Sequence, residues 1–415
     1  MPSSERPCPL DCRSGGPQIR ASTGPFFRAG VRGLASALLL AAVVGFAPAS
    51  ARGQAEDGEE KVEEQKVEED QLAGVAVGVP MRSRDFTFPS FLVLGFSPTP
   101  AQPLGKGNYA LELLYSQVNN FQVSPAVEEY LAETRGDGPR RALGPEDVEA
   151  ILALPEGDAF YIDNELTFYE FTVYYGVTDH FDIGLGWYYV GYSGGELDGS
   201  IFDFHDQFGF GQQGRQYVPD DNFQVIFGSD ELEPVVLLDR PGSGGSSDPF
   251  FYFRYSFPKR GKKWQFAVAG GIKAPVASEE EFLSTGSWDF GVQLIADRRW
   301  QRSALIVDLG YVVPGRFRVN DFDPPNLPSA RISFLRQLRR WENVRIMLQG
   351  LTAEHPFRDL VDSDLTELEV QLTLALKWNT RAGVFGVGLT ENLFNMDNTP
   401  DIALHFSWGW LGIRR

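Results

Sequence analysis

The sequence predicts an all-β fold, an antiparallel up-and-down transmembrane β-barrel of about twelve strands with short periplasmic turns and long extracellular loops. Three observations support this prediction. Apolar and polar side chains alternate along many segments, the connections between these segments are alternately short and long, and aromatic residues concentrate near the segment ends.

The alternation is clearest in three segments. Between Glu367 and Trp378 every even position is Leu, Val or Trp, and every odd position is Glu, Gln, Thr, Ala or Lys. "FDIGLGWYYVG" (181–191) and "IALHFSWGW" (402–410) repeat the pattern. Successive side chains of a strand point to opposite faces, whereas this pattern would circle the whole surface of a helix. These segments are therefore predicted to be strands with one apolar and one polar face.

Upstream of the first strand the chain divides into three parts. Residues 1–51 hold arginines, a short apolar run (34–47) and small residues, which predicts a secretory signal peptide with a long leader. Residues 52–85 are rich in acid and are predicted to be a disordered tether, with a charged helix as the alternative. Residues 86–107 are rich in proline and aromatics and are predicted to be an extended lead-in. The barrel is then predicted to occupy 108–415.

Cysteine usage and charge exclude several classes. Cys8 and Cys12 both lie in the predicted signal peptide, so the exported protein is predicted to be neither a disulfide scaffold nor a cysteine enzyme. The formal net charge of −19 disfavours nucleic-acid binding. No cofactor is predicted. The predicted partners are outer-membrane lipid, the outer-membrane assembly machinery during insertion, and a small solute that the sequence does not identify.

The predicted strands and loops follow from the alternation. The strands are predicted near residues 108–121, 161–176, 180–192, 249–257, 264–274, 287–298, 302–314, 329–338, 343–354, 366–378, 382–391 and 401–411. Long connections are predicted at 122–160, 193–248, 275–286, 315–328, 355–365 and 392–400. In outer-membrane barrels the long loops are extracellular and the short turns periplasmic, so an even strand count places both termini on the periplasmic side.

A secreted β-sandwich is the alternative, because its strands also alternate. The barrel is favoured by aromatic residues near strand ends, such as Trp187, Trp300, Trp378 and Trp408, and by many small residues on the polar faces. One feature departs from the usual pattern, since the chain ends in "GIRR" rather than on an aromatic residue.

Apolar faces that point to lipid would place charged residues in the lumen. These are Glu112, Glu170, Asp182, Arg254, Lys273, Asp289, Asp297, Asp308, Arg331, Arg345, Glu367, Glu369 and Lys377. Isolated buried charges are costly, so they are predicted either to form ion pairs across the lumen or to line a narrow hydrophilic pore. Loops or the N-terminal segment are candidates to close a barrel of this size.

The first long loop contains two predicted helices, "SPAVEEYLAETRG" (124–136) and "GPEDVEAILALPEG" (144–157). Each has proline at a first helical position, and Ser124 is a suitable cap for the first. The loop is predicted either to cover the mouth as a lid or to decorate the surface.

Histidines and acids near the loop end provide further candidates. His205 and His355 are predicted at the loop end, and His405 is predicted to face the lumen. A lipid hydrolase would need a Ser–His pair, for which Ser193, Ser200 and Ser407 are available without a motif that selects one. Asp198, Asp203 and Asp206 are a weak calcium candidate, since they lack the usual close spacing. No metal site and no catalytic residue are therefore predicted.

One stretch resembles a known family. "SGGELDGSIFDFHDQFGFGQQGR" (193–215) is similar to the signature segment of a bacterial family of predicted outer-membrane barrels known only as a protein of unknown function (domain of unknown function 3187). "YSQVNNF", "STGSWD", "VPGR", "EHPF" and "LTENLF…TPDIALHF" match further family motifs in order, over roughly residues 86–411. The resemblance implies a barrel, and the family has no established activity to transfer.

These motifs gather a set of residues toward one mouth of the barrel. The mouth or constriction candidates are Asn119, Asn120, Asp198, Asp203, Phe204, His205, Asp206, Phe208, Arg215, Arg316, His355 and Asp401. The loop that begins at Ser193 is predicted to fold inward as a constriction, with Phe204 and Phe208 against the wall; a simple cap is the alternative. A passive pore or solute-binding barrel ranks first, a structural or adhesion barrel second and a lipid-modifying enzyme third.

Overall fold

The computed structural model describes residues 79–412 apart from 137, 155–158, 210, 230–231, 259–262, 359–364, 366 and 395–397. The predicted signal peptide, and the predicted tether as far as residue 78, lie outside the described residues. Among the described residues no helix is both long and apolar enough to cross a membrane.

The predicted antiparallel barrel is confirmed. In chain order the strands are β1 (Tyr109–Val123), β2 (Phe160–Gly176), β3 (Phe181–Ser193), β4 (Gln224–Ser229), β5 (Leu232–Leu237), β6 (Gly245–Ser246), β7 (Phe250–Ser256), β8 (Trp264–Lys273), β9 (Asp289–Trp300), β10 (Ser303–Val313), β11 (Leu327–Gln337), β12 (Val344–Ala353), β13 (Glu369–Thr380), β14 (Gly383–Phe394) and β15 (Ile402–Gly412).

Twelve of these strands form a closed ring. β1 to β3 are followed by β7 to β15, each strand pairs with its neighbours in the chain, and β1 closes the ring against β15 from Tyr109↔Gly412 to Asn119↔Ile402. β4, β5 and β6 belong to the long loop between β3 and β7 and extend the upper edges of β2 and β3. A ring without edges excludes the sandwich alternative. Each predicted barrel strand corresponds to one observed strand, with ends within three residues of the prediction.

The faces of the barrel follow the predicted alternation. In β13, Gln371, Thr373 and Ala375 are buried inside, whereas Leu374 on the outward face is 50% exposed. In β3 the outward residues Ile183, Leu185, Trp187 and Tyr189 are exposed. An exposed apolar belt of this kind is typical of a barrel whose outer surface contacts lipid.

The interior is filled by the chain's own N-terminal segment. We call residues 79–107 the lumen segment. It begins near the short-turn end, where the Lys377 ammonium donates to the Val79 carbonyl (2.6 Å), and reaches the loop end at a short 3₁₀ helix, Ser90–Leu92. It then returns to the short-turn end, where Gly107 N–H donates to the Gly176 carbonyl (2.7 Å) before β1 begins. Of the two candidates to close the barrel, the N-terminal segment is the one that fills the lumen: the predicted lead-in lies inside, and so do residues 79–85 of the predicted tether.

Glycines in the wall make room for this segment. A Cβ added at Gly291 would lie 2.7 Å from the Phe96 ring, and one at Gly271 would lie 3.0 Å from the same ring. A Cβ at Gly388 would lie 2.9 Å from the Met81 sulfur. The small residues predicted for a crowded interior therefore accommodate side chains of the lumen segment rather than side chains of opposite strands.

The first long loop forms two of the three α-helices of the described residues, α1 (Pro125–Arg135) and α2 (Pro145–Leu152). Their apolar side chains pack on the outward faces of the upper ends of β1 and β2, in a second core that includes Phe121, Tyr161 and Ile226. The helices thus brace the wall above the belt. The third helix, α3 (Asp198–Phe208), belongs to the loop after β3.

Candidate functional site

The incoming half of the lumen segment is held by ion pairs. Arg82 Nε lies 2.5 Å from a Glu112 carboxylate oxygen, and its Nη1 donates to the Tyr174 hydroxyl (2.7 Å). Arg84 lies 3.4 Å from Glu170 and 4.3 Å from the centre of the Tyr188 ring. The segment therefore supplies cations that neutralise two wall carboxylates.

The outgoing half is held in a different way, through its own backbone carbonyls. Wall side chains donate to them: Tyr188 to Phe91 (2.5 Å), Lys273 to Leu92 (2.7 Å), Tyr252 to Gly95 (3.0 Å), Arg331 to Phe96 (2.9 Å) and Arg254 to Pro100 (2.7 Å). Polar groups of the wall thus satisfy a backbone that forms no sheet of its own.

Three of these donors, and Arg299 as well, pair with wall carboxylates. Arg254 lies 2.5 Å from Asp182, Lys273 lies 3.2 Å from Asp289, Arg331 lies 3.2 Å from Asp308, and Arg299 lies 2.9 Å from Asp297. These predicted lumen charges therefore face the interior, and the predicted ion pairs form around the lumen segment rather than straight across an empty lumen.

Three further predicted lumen charges have other surroundings. Glu369 is buried close to Asp85 and Thr87 of the lumen segment. Arg345 is only half-buried on β12. Glu367 is exposed and precedes β13, so it does not belong to the lumen charges; the strand begins later than the alternation predicts.

A small cavity remains beside the lumen segment at the short-turn end. Its volume is about 80 Å³, and its lining includes Arg82, Glu112, Tyr174, Arg254 and Lys377 together with apolar side chains. It is far smaller than a space that admits a metabolite-sized solute.

At the opposite end four of the predicted mouth residues meet, and we call them the mouth cluster: Asn119, Asp198, Arg215 and Asp401. Arg215 donates to Asp198 (2.6 Å), to Asn119 (3.1 Å) and to Asp401. Asn119 donates to Asp198 (2.8 Å), and all four side chains are buried. The cluster ties the loop after β3 to β1 and to the start of β15.

The electrostatics of the mouth cluster depend on its single guanidinium group. Burial raises the pKa of the Asp198 carboxyl, and Arg215 and Asn119 oppose this shift. Burial likewise raises the pKa of Asp401, again opposed by Arg215. Burial alone would lower the pKa of Arg215, but Asp401 and Asp198 raise it above its usual value. The positive charge of Arg215 thus offsets the cost of burying two carboxylates.

The α3 candidates do not form a constriction. Phe204 is 47% exposed and does not pack inside the lumen, and Asp203 and Asp206 are exposed as well. His205 lies on the same surface helix, where its Nδ1 contacts the Gly211 carbonyl (2.9 Å). The Phe208 side chain lies outside the described residues. The inward fold predicted for Phe204 is therefore not observed, and Arg215, which follows α3 in this loop, lies over the Phe121 ring on the outer side of the wall.

The remaining mouth candidates separate. The Asn120 amide donates to Asn164 (3.1 Å) on the inner wall, and Arg316 is exposed and pairs with Asp321 (2.8 Å) and Asp323 (2.6 Å) of its own loop. His355 is fully buried over the apex of the lumen segment. Its Nε2 donates to the Phe88 carbonyl (3.3 Å), and its Nδ1 accepts from Phe357 N–H (3.1 Å). Burial lowers the pKa of His355 to about 4.

The partners of His405 were not among the predicted serines. Its Nδ1 lies 2.8 Å from the Ser116 hydroxyl and its Nε2 lies 2.8 Å from the Thr390 hydroxyl, inside the wall and close to the Phe86 ring. Ser116 lies opposite His405 in the β1–β15 pair, so a correct prediction of that pairing would have identified the first contact. A catalytic serine would need exposure to substrate and a histidine that is oriented by an acid. Here the hydroxyl group of Thr390 occupies the position of that acid.

The surroundings of Asp198, Asp203 and Asp206 do not support the weak calcium candidate. Asp198 is engaged by Arg215, while Asp203 and Asp206 point to solvent on α3, so the weak calcium candidate does not assemble. Over the described ranges no group of three or more His, Cys, Asp or Glu side chains is arranged to hold a metal ion.

Comparison with solved structures finds outer-membrane barrels at low identity. The COG4313 outer membrane channel from Pseudomonas putida F1 is 10% identical over 76% of this chain and 99% of its own, with a TM-score of 0.42. The CymD monoaromatic hydrocarbon channel is 9% identical over 75% of this chain and 89% of its own, with a TM-score of 0.32.

Outer membrane phospholipase A from Escherichia coli is 8% identical over 74% of this chain and 92% of its own, with a TM-score of 0.32. No curated protein matches the sequence. The model of the family described as "Protein of unknown function (DUF3187)" matches residues 150–410.

Proposed function

We propose that this chain, which belongs to the family described as protein of unknown function (DUF3187), is a plugged pore of the bacterial outer membrane. In this proposal the chain is exported through a signal peptide at residues 1–51. The lumen segment keeps the barrel closed, and small hydrophilic solutes pass when it leaves the lumen.

The observation that carries the proposal is the chemistry of the wall behind the lumen segment. Tyr188, Tyr252, Arg254, Lys273 and Arg331 hold the segment by hydrogen bonds to its carbonyls. Water can replace each carbonyl, since charged and hydroxyl groups that line a wet channel remain solvated. The wall also contributes apolar side chains such as Leu166, Phe168 and Ile306 to the core around the segment, and these would meet water when it left.

The wall charges also suit an open lumen. Arg254 with Asp182, Arg331 with Asp308 and Lys273 with Asp289 are pairs within the wall, so they persist after the segment has gone. Among the ion pairs of the described residues, Glu112 and Glu170 lose the cations that the segment supplies, and they would then face water as carboxylates. The opened pore is therefore expected to favour cations slightly over anions.

The test is planar-bilayer conductance of three refolded proteins. These are the full chain, a chain without residues 79–104, and a chain without residues 196–214. The expected result is a silent full chain and steady channels after deletion of 79–104. Deletion of 196–214 is expected to leave the barrel silent, because Asp203, Phe204 and Asp206 of α3 face solvent and the lumen segment stays in place. Silence of the chain without 79–104, with the barrel correctly folded by circular dichroism, would refute the proposal.

A further inference from the structure

The short-turn end of the barrel carries positive charge on one side, against the overall sign of the chain. Six exposed or half-exposed basic residues lie on β8 to β12 and their turns, and we call them the basic rim: Lys263, Arg298, Arg302, Arg336, Arg339 and Arg340. The chain as a whole has a formal net charge of −19. A patch of positive charge on a negatively charged chain indicates a surface that binds an anionic partner.

The carboxylates of this region do not neutralise the rim. Asp297 is buried and engaged by Arg299 (2.9 Å), which leaves Glu342 in the turn between β11 and β12. Within the part of the chain that the structure describes, none of the six basic side chains forms an ion pair. Their charges are therefore available to an external group.

Two of the six stand on the outward face, at the border of the apolar belt. Arg298 pairs across the sheet with Trp264, and its guanidinium carbon lies 5.7 Å from the Trp264 ring centre and 4.9 Å from that of Trp300. Arg336 is exposed and opposes Ser303, which in turn opposes Trp300. Arg298, Trp300, Ser303 and Arg336 thus span three adjacent strands, about 10 Å across the wall.

The tryptophan rings at the border of the apolar belt indicate the chemical class of the partner. Indole rings concentrate where acyl chains give way to headgroups, so the guanidinium groups beside Trp264 and Trp300 lie at the depth of lipid phosphates. A planar guanidinium group matches the two oxygens of a phosphate, and stacking on indole keeps it oriented.

We propose that the basic rim binds the phosphate headgroups of anionic phospholipids, of the phosphatidylglycerol type, in the membrane leaflet at the short-turn end. Arg298 and Arg336 contact the phosphate from the wall, and Arg302, Arg339 and Arg340 contact it from the turns. The site lies outside the lumen, so it stands whether or not the barrel conducts.

The test measures lipids retained by the full-length protein after extraction from bilayers of equal phosphatidylglycerol and phosphatidylcholine, by native mass spectrometry. Wild-type protein is expected to retain phosphatidylglycerol preferentially. The preference is expected to fall roughly 25-fold in the Arg298→Gln, Arg336→Gln double variant, since each basic residue near an anionic surface contributes a factor of about five. Arg316→Gln, at the opposite end, is the matched control and is expected to change nothing.

A second pair, Arg302→Gln with Arg340→Gln, lies in turns outside the strands and provides the same test if the first pair fails to fold. Equal retention of the two lipids by the wild type, or unchanged preference in the folded variants, would overturn the proposal. Quenching of the rim tryptophans by a polyglutamate peptide in pure phosphatidylcholine bilayers, with no response to phosphatidylglycerol, would instead assign the rim to an acidic polypeptide.

Discussion

Phe96 is the side chain that tests the seating of the lumen segment with the least change to the barrel. It is 6% exposed and lies against Gly271, Gly291 and Gly310 of three adjacent strands. Phe96→Ala removes the ring from the segment but leaves every wall residue in place. Truncation of a buried phenylalanine costs about 3–5 kcal/mol, and even the lower figure shifts a two-state equilibrium by about 100-fold.

The assay is the open probability of the full-length variant in planar bilayers. We expect Phe96→Ala to raise it by about two orders of magnitude over the wild type, while thermal unfolding of the barrel changes little. Phe334→Ala is the matched control, because Phe334 lies on the outward face of β11 and is 37% exposed. If both variants remain as closed as the wild type, the packing of Phe96 does not hold the segment and the reasoning is wrong.

Three further predictions concern the loop end. Arg215→Met should leave the buried Asp198 and Asp401 without a cation, cost the loop about 3–5 kcal/mol and expose α3 to limited proteolysis. Because the pKa of His355 is lowered from 6.5 to about 4, the folded state favours the neutral imidazole. The contact between His355 and the segment should be fully formed above about pH 6.5 and weaken toward pH 4, which raises the open probability. A His355→Asn protein should lose that pH dependence. Asp147→Asn should lower the free energy that holds α2 in place by about 2 kcal/mol, measured by limited proteolysis. Burial raises the pKa of Asp147, but Arg141, Gly144 N–H and Tyr130 lower it to about 2. This stabilisation should therefore persist above about pH 4 and disappear as the pH falls through 2.

The strands could be predicted because their signal is local. An outward Leu374 beside an inward Thr373 repeats a two-residue period that no other element produces. The direction of the faces was also predicted, from aromatic residues near the strand ends and small residues on the polar faces, and Leu374 is exposed whereas Arg331 is buried inside the ring.

The lumen segment could not be predicted by the same means, because its residues have no period. Arg82 and Arg84 have their partners Glu112 and Glu170 on strands that follow along the chain, so only the folded barrel brings the charges together. The size of the barrel indicated that loops or the N-terminal segment could close it, but it did not select between them.

The mouth candidates were predicted in part. The shared motif drew attention to Asp198 and Arg215, which do meet with Asn119 and Asp401. The same motif suggested that Phe204 packs inward, but a helix presents successive residues to different sides, and Phe204 lies on the side of α3 that faces solvent.

The most direct test of the plugged pore is a reversible lock between the lumen segment and the wall. The Ser83 and Thr373 hydroxyl oxygens are 3.4 Å apart, so Ser83→Cys and Thr373→Cys together are placed to form a disulfide. In the Phe96→Ala background, with Cys8 and Cys12 changed to serine, the account predicts silence when the pair is oxidised and open channels when it is reduced. Equal conductance in the two redox states, with the cross-link verified by mass spectrometry, would contradict it.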